Sequence, residues 1–222
     1  MSDEPIVEVV PTRVHGRYLV RHAARDAHGL LMVFHGYGMN ASNMLDQVEA
    51  IPGMDVWTVV SVQGLNRFYD SRSREVVASW MTRQDRDFAI ADNIAFVSEV
   101  VRRVLASRKV AGPLVFLGFS QGTAMAYRAA AGSGHPCQGV VALGGDVPPE
   151  LAELGLAPCR RVLIGRGVSD EWYDEDKLTA DLELLSALGC DAEVVRFPGG
   201  HEWTEEFRQR CEGFLASLVE PG

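Results

Sequence analysis

The chain has 222 residues, 47% of them hydrophobic and 23% charged, which suits one α/β domain with a full core and excludes a second domain of ordinary size. Its formal net charge of −9 opposes a phosphate backbone, and the basic pairs Arg102-Arg103 and Arg108-Lys109 are too few to reverse that, so no nucleic-acid partner is expected. No apolar stretch is long enough for a membrane span, and Cys137, Cys159, Cys190 and Cys211 lie far apart without metal-ligand spacing, so neither a metal nor a cofactor is expected.

The start, Met1-Ser2-Asp3-Glu4-Pro5, is acidic and leads into no long apolar run, which does not read as a signal peptide and points to a cytoplasmic protein with reduced thiols. Residues 1–14 are read as an N-terminal segment and 15–222 as the domain. A homodimer stays open. Extended runs follow at Arg17–His22 and Leu30–Phe34, the second continuously apolar, as in a strand covered on both faces. It ends in His35-Gly36-Tyr37-Gly38-Met39-Asn40, where two glycines free the backbone to aim N–H groups at a ligand. His35, next to a buried strand, reads as a structural hydrogen-bonder and not as a base. A helix from Asn40 to Ala50, capped by Asn40 or Ser42, stops at Pro52-Gly53, and Val56–Val62 is a further strand. The long stretch from Gln63 to Arg83 then reads as a functional loop, with Phe68, Tyr69, Trp80 and Met81 available to wall a pocket.

From Asp85 to Ser107 apolar residues recur at helical spacing, with acids at the start and arginines at the end. Pro113–Leu117 is a strand, Thr123–Ala130 a helix, and between them lies Gly118-Phe119-Ser120-Gln121-Gly122. This Gly-x-Ser-x-Gly turn from strand to helix forces the serine into strained backbone angles and projects its hydroxyl beside free helix N–H groups. Strands at Gly139–Leu143, Arg161–Gly165 and Ala192–Phe197 and helices at Asp174–Leu188 and Thr204–Val219 complete the alternation. The pattern predicts a mostly parallel central sheet with helices on both faces and ligands beyond the carboxyl ends of the strands.

A serine nucleophile needs a base within hydrogen-bond reach and a carboxylate to orient that base. Of the two histidines after Ser120, His135 closes the elbow helix next to Pro136, which leaves His201 in Gly199-Gly200-His201 as the base by elimination. Asp170, just past the strand ending at Gly165, is the first choice of carboxylate, with Glu171 and Asp174 as alternatives.

These residues carry a resemblance. Phe34-His35-Gly36-Tyr37-Gly38, Gly118-Phe119-Ser120-Gln121-Gly122, Asp170 with Glu171-Trp172-Tyr173, and Gly200-His201 resemble the phospholipase/carboxylesterase family of α/β-hydrolases, relatives of acyl-protein thioesterases and dienelactone hydrolases, over roughly residues 15–218. The resemblance implies a single-domain α/β-hydrolase fold without a separate lid, a triad of Ser120, Asp170 and His201, and an oxyanion hole made by the N–H groups of Tyr37 and Gln121. The implied activity is hydrolysis of carboxylic esters through an acyl-enzyme. A thioesterase or acyltransferase on the same residues stays open, as does a non-catalytic binding protein. Met39, Phe68, Tyr69, Trp80, Met81, Trp172, Tyr173 and Trp203 are placed around Ser120 by this topology, which predicts an open, apolar pocket for small, uncharged esters of short-to-medium acyl or aromatic groups.

Overall fold

The structure is a computed structural model that describes residues 5–24, 27–107, 110 and 112–219. The acidic Met1–Glu4 and the basic pair Arg108-Lys109 therefore lie outside the described residues. Residues 5–16 form no helix or strand and are exposed.

Strands β1 (Arg17–Arg21), β2 (Gly29–Phe34), β3 (Trp57–Gln63), β6 (Leu114–Phe119), β7 (Gly139–Leu143), β8 (Arg161–Gly167) and β9 (Asp191–Phe197) form one sheet in the order β1-β3-β2-β6-β7-β8-β9. All neighbours run parallel except β1, which lies antiparallel along β3 at the edge. The continuous apolar runs are explained by this sheet, because its central strands are covered on both faces. In β2 the period of two divides them: Leu30, Met32 and Phe34 join one buried cluster, Leu31 and Val33 the other. The first cluster lies under α2 (Arg86–Ser107), α3 (Gln121–Gly132) and α5 (Glu175–Ala187), and the second under α1 (Ala41–Glu49) and α6 (Glu205–Val219).

Two helix starts follow their cap chemistry. Asn40 caps α1 in a reciprocal box, its side chain accepting from Asn43 N–H while Asn43 accepts from Asn40 N–H, each at 3.0 Å. Asp174 caps α5 through Lys177 N–H at 2.9 Å. Cys137, Cys159 and Cys211 are buried and Cys190 half-buried, all as free thiols.

The stretch from Gln63 to Arg83 is not an unstructured loop, which corrects the sequence reading. It contains a hairpin of β4 (Asn66–Tyr69) and β5 (Val76–Ser79), closed by Asp70, whose Oδ1 accepts from Arg72 N–H and Ser73 N–H. All four residues of β4 are exposed, so the strand shows no alternation of polar and apolar residues to betray it. A four-residue helix, α4 (Leu151–Leu154), also escaped the sequence reading.

Candidate active site

Ser120 sits between β6 and α3 with φ +54° and ψ −123°, a region that costs a residue with a side chain and persists only where its neighbours enforce it. The enforcement is visible. Ser120 N–H donates to Leu143 O at 2.8 Å, and Thr123 Oγ1 reaches Gly118 O and Leu143 O, each at 3.2 Å. A Cβ at Gly118 would lie 2.2 Å from Gly122 O, and one at Gly122 would lie 2.1 Å from Phe34 O. The two glycines of the pentapeptide thus let strand, helix and the neighbouring β2 close up around the serine.

The loop after β2 lies against it: a Cβ at Gly36 would come within 3.3 Å of Ser120 Cβ and of Met39 Sδ. In this loop Gly38 N–H donates to Ala78 O at 3.1 Å and Met39 N–H to Gly36 O at 3.2 Å. Tyr37 N–H has no acceptor among the described residues. Gln121 N–H, on the first residue of α3, has no carbonyl four residues back within its helix. His35 holds the loop from below. Gly64 N–H donates to His35 Nε2 at 3.0 Å, so the proton lies on Nδ1, which donates to Gly36 O at 2.7 Å. Burial lowers the His35 pKa, which keeps the ring neutral and structural.

Asp170 and His201 meet from the ends of β8 and β9. His201 Nδ1 lies 2.9 Å from Asp170 Oδ2, and the other oxygen, Oδ1, accepts from Trp172 N–H at 2.9 Å and Tyr173 N–H at 3.0 Å. The two loops are joined by Val168 N–H to Phe197 O and Ser169 N–H to Gly199 O, each at 2.9 Å. Beneath the pair runs the segment leaving β7: a Cβ at Gly144 would lie 3.0 Å from His201 Cε1 and 3.3 Å from Asp170 Oδ2, and one at Gly145 would lie 2.4 Å from Ser120 O. One short segment therefore underlies serine, acid and histidine. Of the two alternative acids, Asp174 is occupied as the cap of α5 and Glu171 is exposed.

The aromatic residues divide. Tyr37, 64% exposed, packs its ring 5.5 Å from Phe68; Tyr69 is exposed, and Trp172 is 74% exposed. Met39 and Met81 are half-buried, with Met81 Sδ 3.7 Å from Arg128 Nη1. Trp80 and Tyr173 are corrections to the expected pocket wall. Trp80 is 2% exposed, packs edge-on to Phe34 and tilted against His35, and donates from Nε1 to His35 O at 2.8 Å. Tyr173 is 1% exposed and donates its hydroxyl to Asp181 Oδ2 at 2.8 Å. Both side chains fill the core beneath the site. Trp203 is half-buried between Phe119 and Phe207, at 6.2 and 5.8 Å, and Phe119 in turn packs 5.0 Å from the His201 ring.

Three supporting groups were missed. The Gln121 side chain, read only for its backbone, accepts from Trp80 N–H at 2.9 Å and donates to Met81 O at 3.0 Å, clamping the end of the hairpin to the elbow helix. Arg166 donates to Tyr173 O at 2.8 Å and to Glu175 Oε2 at 3.0 Å, and Glu175 also pairs with Arg196. Asp181 lies on the buried face of α5 with Leu178 and Leu185. Its signal in the sequence was an acid in phase with two core leucines.

The chain matches the phospholipase/carboxylesterase family over residues 15–218. It is similar in structure to a Bacillus cereus carboxylesterase, at 16% identity and TM-score 0.73, over 91% of this chain and 94% of that one. It is also similar to Zea mays acyl-protein thioesterase 2, at 18% identity and TM-score 0.72, over 93% of this chain and 100% of that one. The same holds for esterase PE8, at 20% identity and TM-score 0.71, over 93% of this chain and 100% of that one. At these identities the likeness is one of fold. A sequence search of curated proteins finds no significant match. Among the described residues no helix is long and apolar enough to cross a membrane, and no cluster of three or more His, Cys, Asp or Glu could hold a metal ion. With the family match running over most of its length, the chain belongs to the phospholipase/carboxylesterase family and is a hydrolase of the esterase kind on a single-domain α/β-hydrolase fold.

Proposed function

We propose that the chain is a serine hydrolase that cleaves carboxylic esters of small, uncharged, short-to-medium acyl or aromatic substrates through an acyl-enzyme on Ser120. The observation that carries this reading is the 2.9 Å contact between His201 Nδ1 and Asp170 Oδ2, formed over the same glycine segment that abuts Ser120. A carboxylate at Nδ1 holds the imidazole proton there and leaves Nε2 free as the base. His201 takes the Ser120 proton as Oγ attacks the ester carbonyl, and returns it to the departing alcohol. Water, deprotonated by the same nitrogen, then releases the acid and regenerates the serine. The Tyr37 and Gln121 N–H groups, neither of them committed to a local backbone carbonyl, face the developing oxyanion at the positive end of α3.

The exposed rings of Tyr37, Phe68, Tyr69 and Trp172 favour an open, uncharged substrate site. Kinetics on p-nitrophenyl esters of increasing acyl length, with the matching thioesters alongside, test the reading. Saturable hydrolysis of short and medium esters is expected, and its abolition in Ser120→Ala. Ester turnover that survives Ser120→Ala would overturn the assignment of the nucleophile, and a large preference for thioesters would move the substrate class to that bond.

A further inference from the structure

The loop that carries Asp170 is held from behind as well as from the histidine side. Tyr173 uses all three of its polar groups there: its N–H donates to Asp170 Oδ1, its carbonyl accepts from Arg166 Nε, and its hydroxyl donates to Asp181 Oδ2. The same Asp181 oxygen accepts from Val147 N–H at 3.0 Å. Val147 lies on the segment leaving β7, three residues beyond the Gly144 that underlies Asp170 and His201. A single carboxylate oxygen therefore joins the acid loop to the floor of the site. One turn earlier on α5, Lys177 spans the same two segments, with Nζ 2.5 Å from Trp172 O and 3.7 Å from Asp146 Oδ1.

Asp181 is 7% exposed, and a carboxylate in that place costs more to bury than a neutral residue of the same shape. Burial, the largest cause, pushes it up to about 6 against the opposing donors Val147 N–H and Tyr173 hydroxyl. Asp146 raises it further and Lys177 lowers it. From α3 the buried Tyr127 faces it, its hydroxyl without a partner among the described residues. Packing alone does not call for such a group.

We propose that Asp181, acting through Tyr173, is a positioning residue that fixes the orientation of Asp170 toward His201. The tie to the phenol sets the backbone at position 173 so that its N–H engages Oδ1 and leaves Oδ2 to His201. The inference rests on the reading of Ser120, Asp170 and His201 given above.

The test uses the full chain with Tyr173→Phe, Asp181→Leu and their double variant, and with Asp181→Asn, whose amide oxygen still accepts from the phenol, measured for ester kcat and KM, melting temperature, and the downfield proton resonance of His201 Nδ1–H. Tyr173→Phe and Asp181→Leu are each expected to lower kcat by roughly tenfold, the worth of one hydrogen bond to a charged group, with KM changed by less than about twofold, and Asp181→Asn to keep most of the wild-type kcat. The double variant should be no worse than either single one, because both break the same link. The His201 resonance should shift or broaden, while Asp181→Asn melts no lower than wild type at pH 7 and above. A kcat within about twofold of wild type in both Tyr173→Phe and Asp181→Leu, or losses that simply follow a fall in melting temperature, would overturn the proposal. Fluorophosphonate labelling of wild type separates the two levels: labelled Ser120 with unaffected variants removes only the role of Asp181, whereas wild type unlabelled at Ser120 removes the triad reading and this inference with it.

Discussion

Among single residues, some side chains in the proposed site act on the substrate and others hold those in place. Asp170→Asn keeps the shape of the carboxylate but lets the amide favour the other imidazole tautomer, so kcat should fall by a factor on the order of 10⁴. Asp174→Asn should leave kcat and stability nearly unchanged, since asparagine caps a helix as well as aspartate does. Parallel assays of the two variants test the choice of acid, and a reversed order would move the role to Asp174. At Tyr37 the proposed donor is the backbone N–H and the phenol stands in solvent, so Tyr37→Phe should retain most activity. Gln121→Ala is different. It leaves Trp80 N–H and Met81 O without partners, and about 1–3 kcal/mol of stability should go with them, read as a lower denaturant midpoint at unchanged slope.

At the scale of elements, α5 trades stability for position. The folded pKa of Asp181, about 6, lies above its ordinary 3.8. A carboxyl raised in this way stabilises the fold at low pH, and that contribution is lost as pH rises from about 4 through about 6. Asp181→Asn removes the titration. Its stability relative to wild type should therefore climb across that window and level off above about pH 7, which melting curves at a series of pH values would detect. A difference that is flat in pH would contradict the raised carboxyl. The core beneath the site makes the opposite demand: Trp80→Ala should cost about 3–5 kcal/mol through the cavity it leaves, an effect on folding and not on substrate choice. The strands and helices of the large sheet were legible because their apolar runs and caps answer to local rules, as β2 and Asn40 show. The hairpin was not, because β4 is exposed along its length and has no inward face to leave a pattern, while β5 buries only three residues in a row, too few to show a period. Nor were the destinations of Trp80 and Tyr173. An aromatic residue next to a reactive one reads the same in sequence whether its ring points to the cleft or into the core. The phase of Asp181 with Leu178 and Leu185 marks it as buried, but its partners, Tyr173 eight residues away and Val147 beyond a strand, come together only in space.

At the scale of the whole molecule, the carboxyl ends of β2, β6, β8 and β9 bring Tyr37, Ser120, Asp170 and His201 to one side of the sheet. The proposed triad draws on that convergence, where His201 and Asp170, 31 residues apart in the chain, are in hydrogen-bond contact. If the exposed aromatic rim binds the acyl group, kcat/KM should rise about fourfold per added methylene, near 0.8 kcal/mol each, until the rim is covered, and Trp172→Ala should flatten the rise without lowering stability. A profile indifferent to chain length and to Trp172 would remove the apolar rim from the account. Whether Ser120 is a nucleophile activated by His201 and Asp170 is decided by mass spectrometry of the intact chain after a fluorophosphonate probe, with peptide mapping of the adduct. One adduct on Ser120 is predicted, absent in Ser120→Ala and formed far more slowly in Asp170→Asn and His201→Ala; an adduct on another residue, or Ser120 labelling at the wild-type rate in both of those variants, would contradict it.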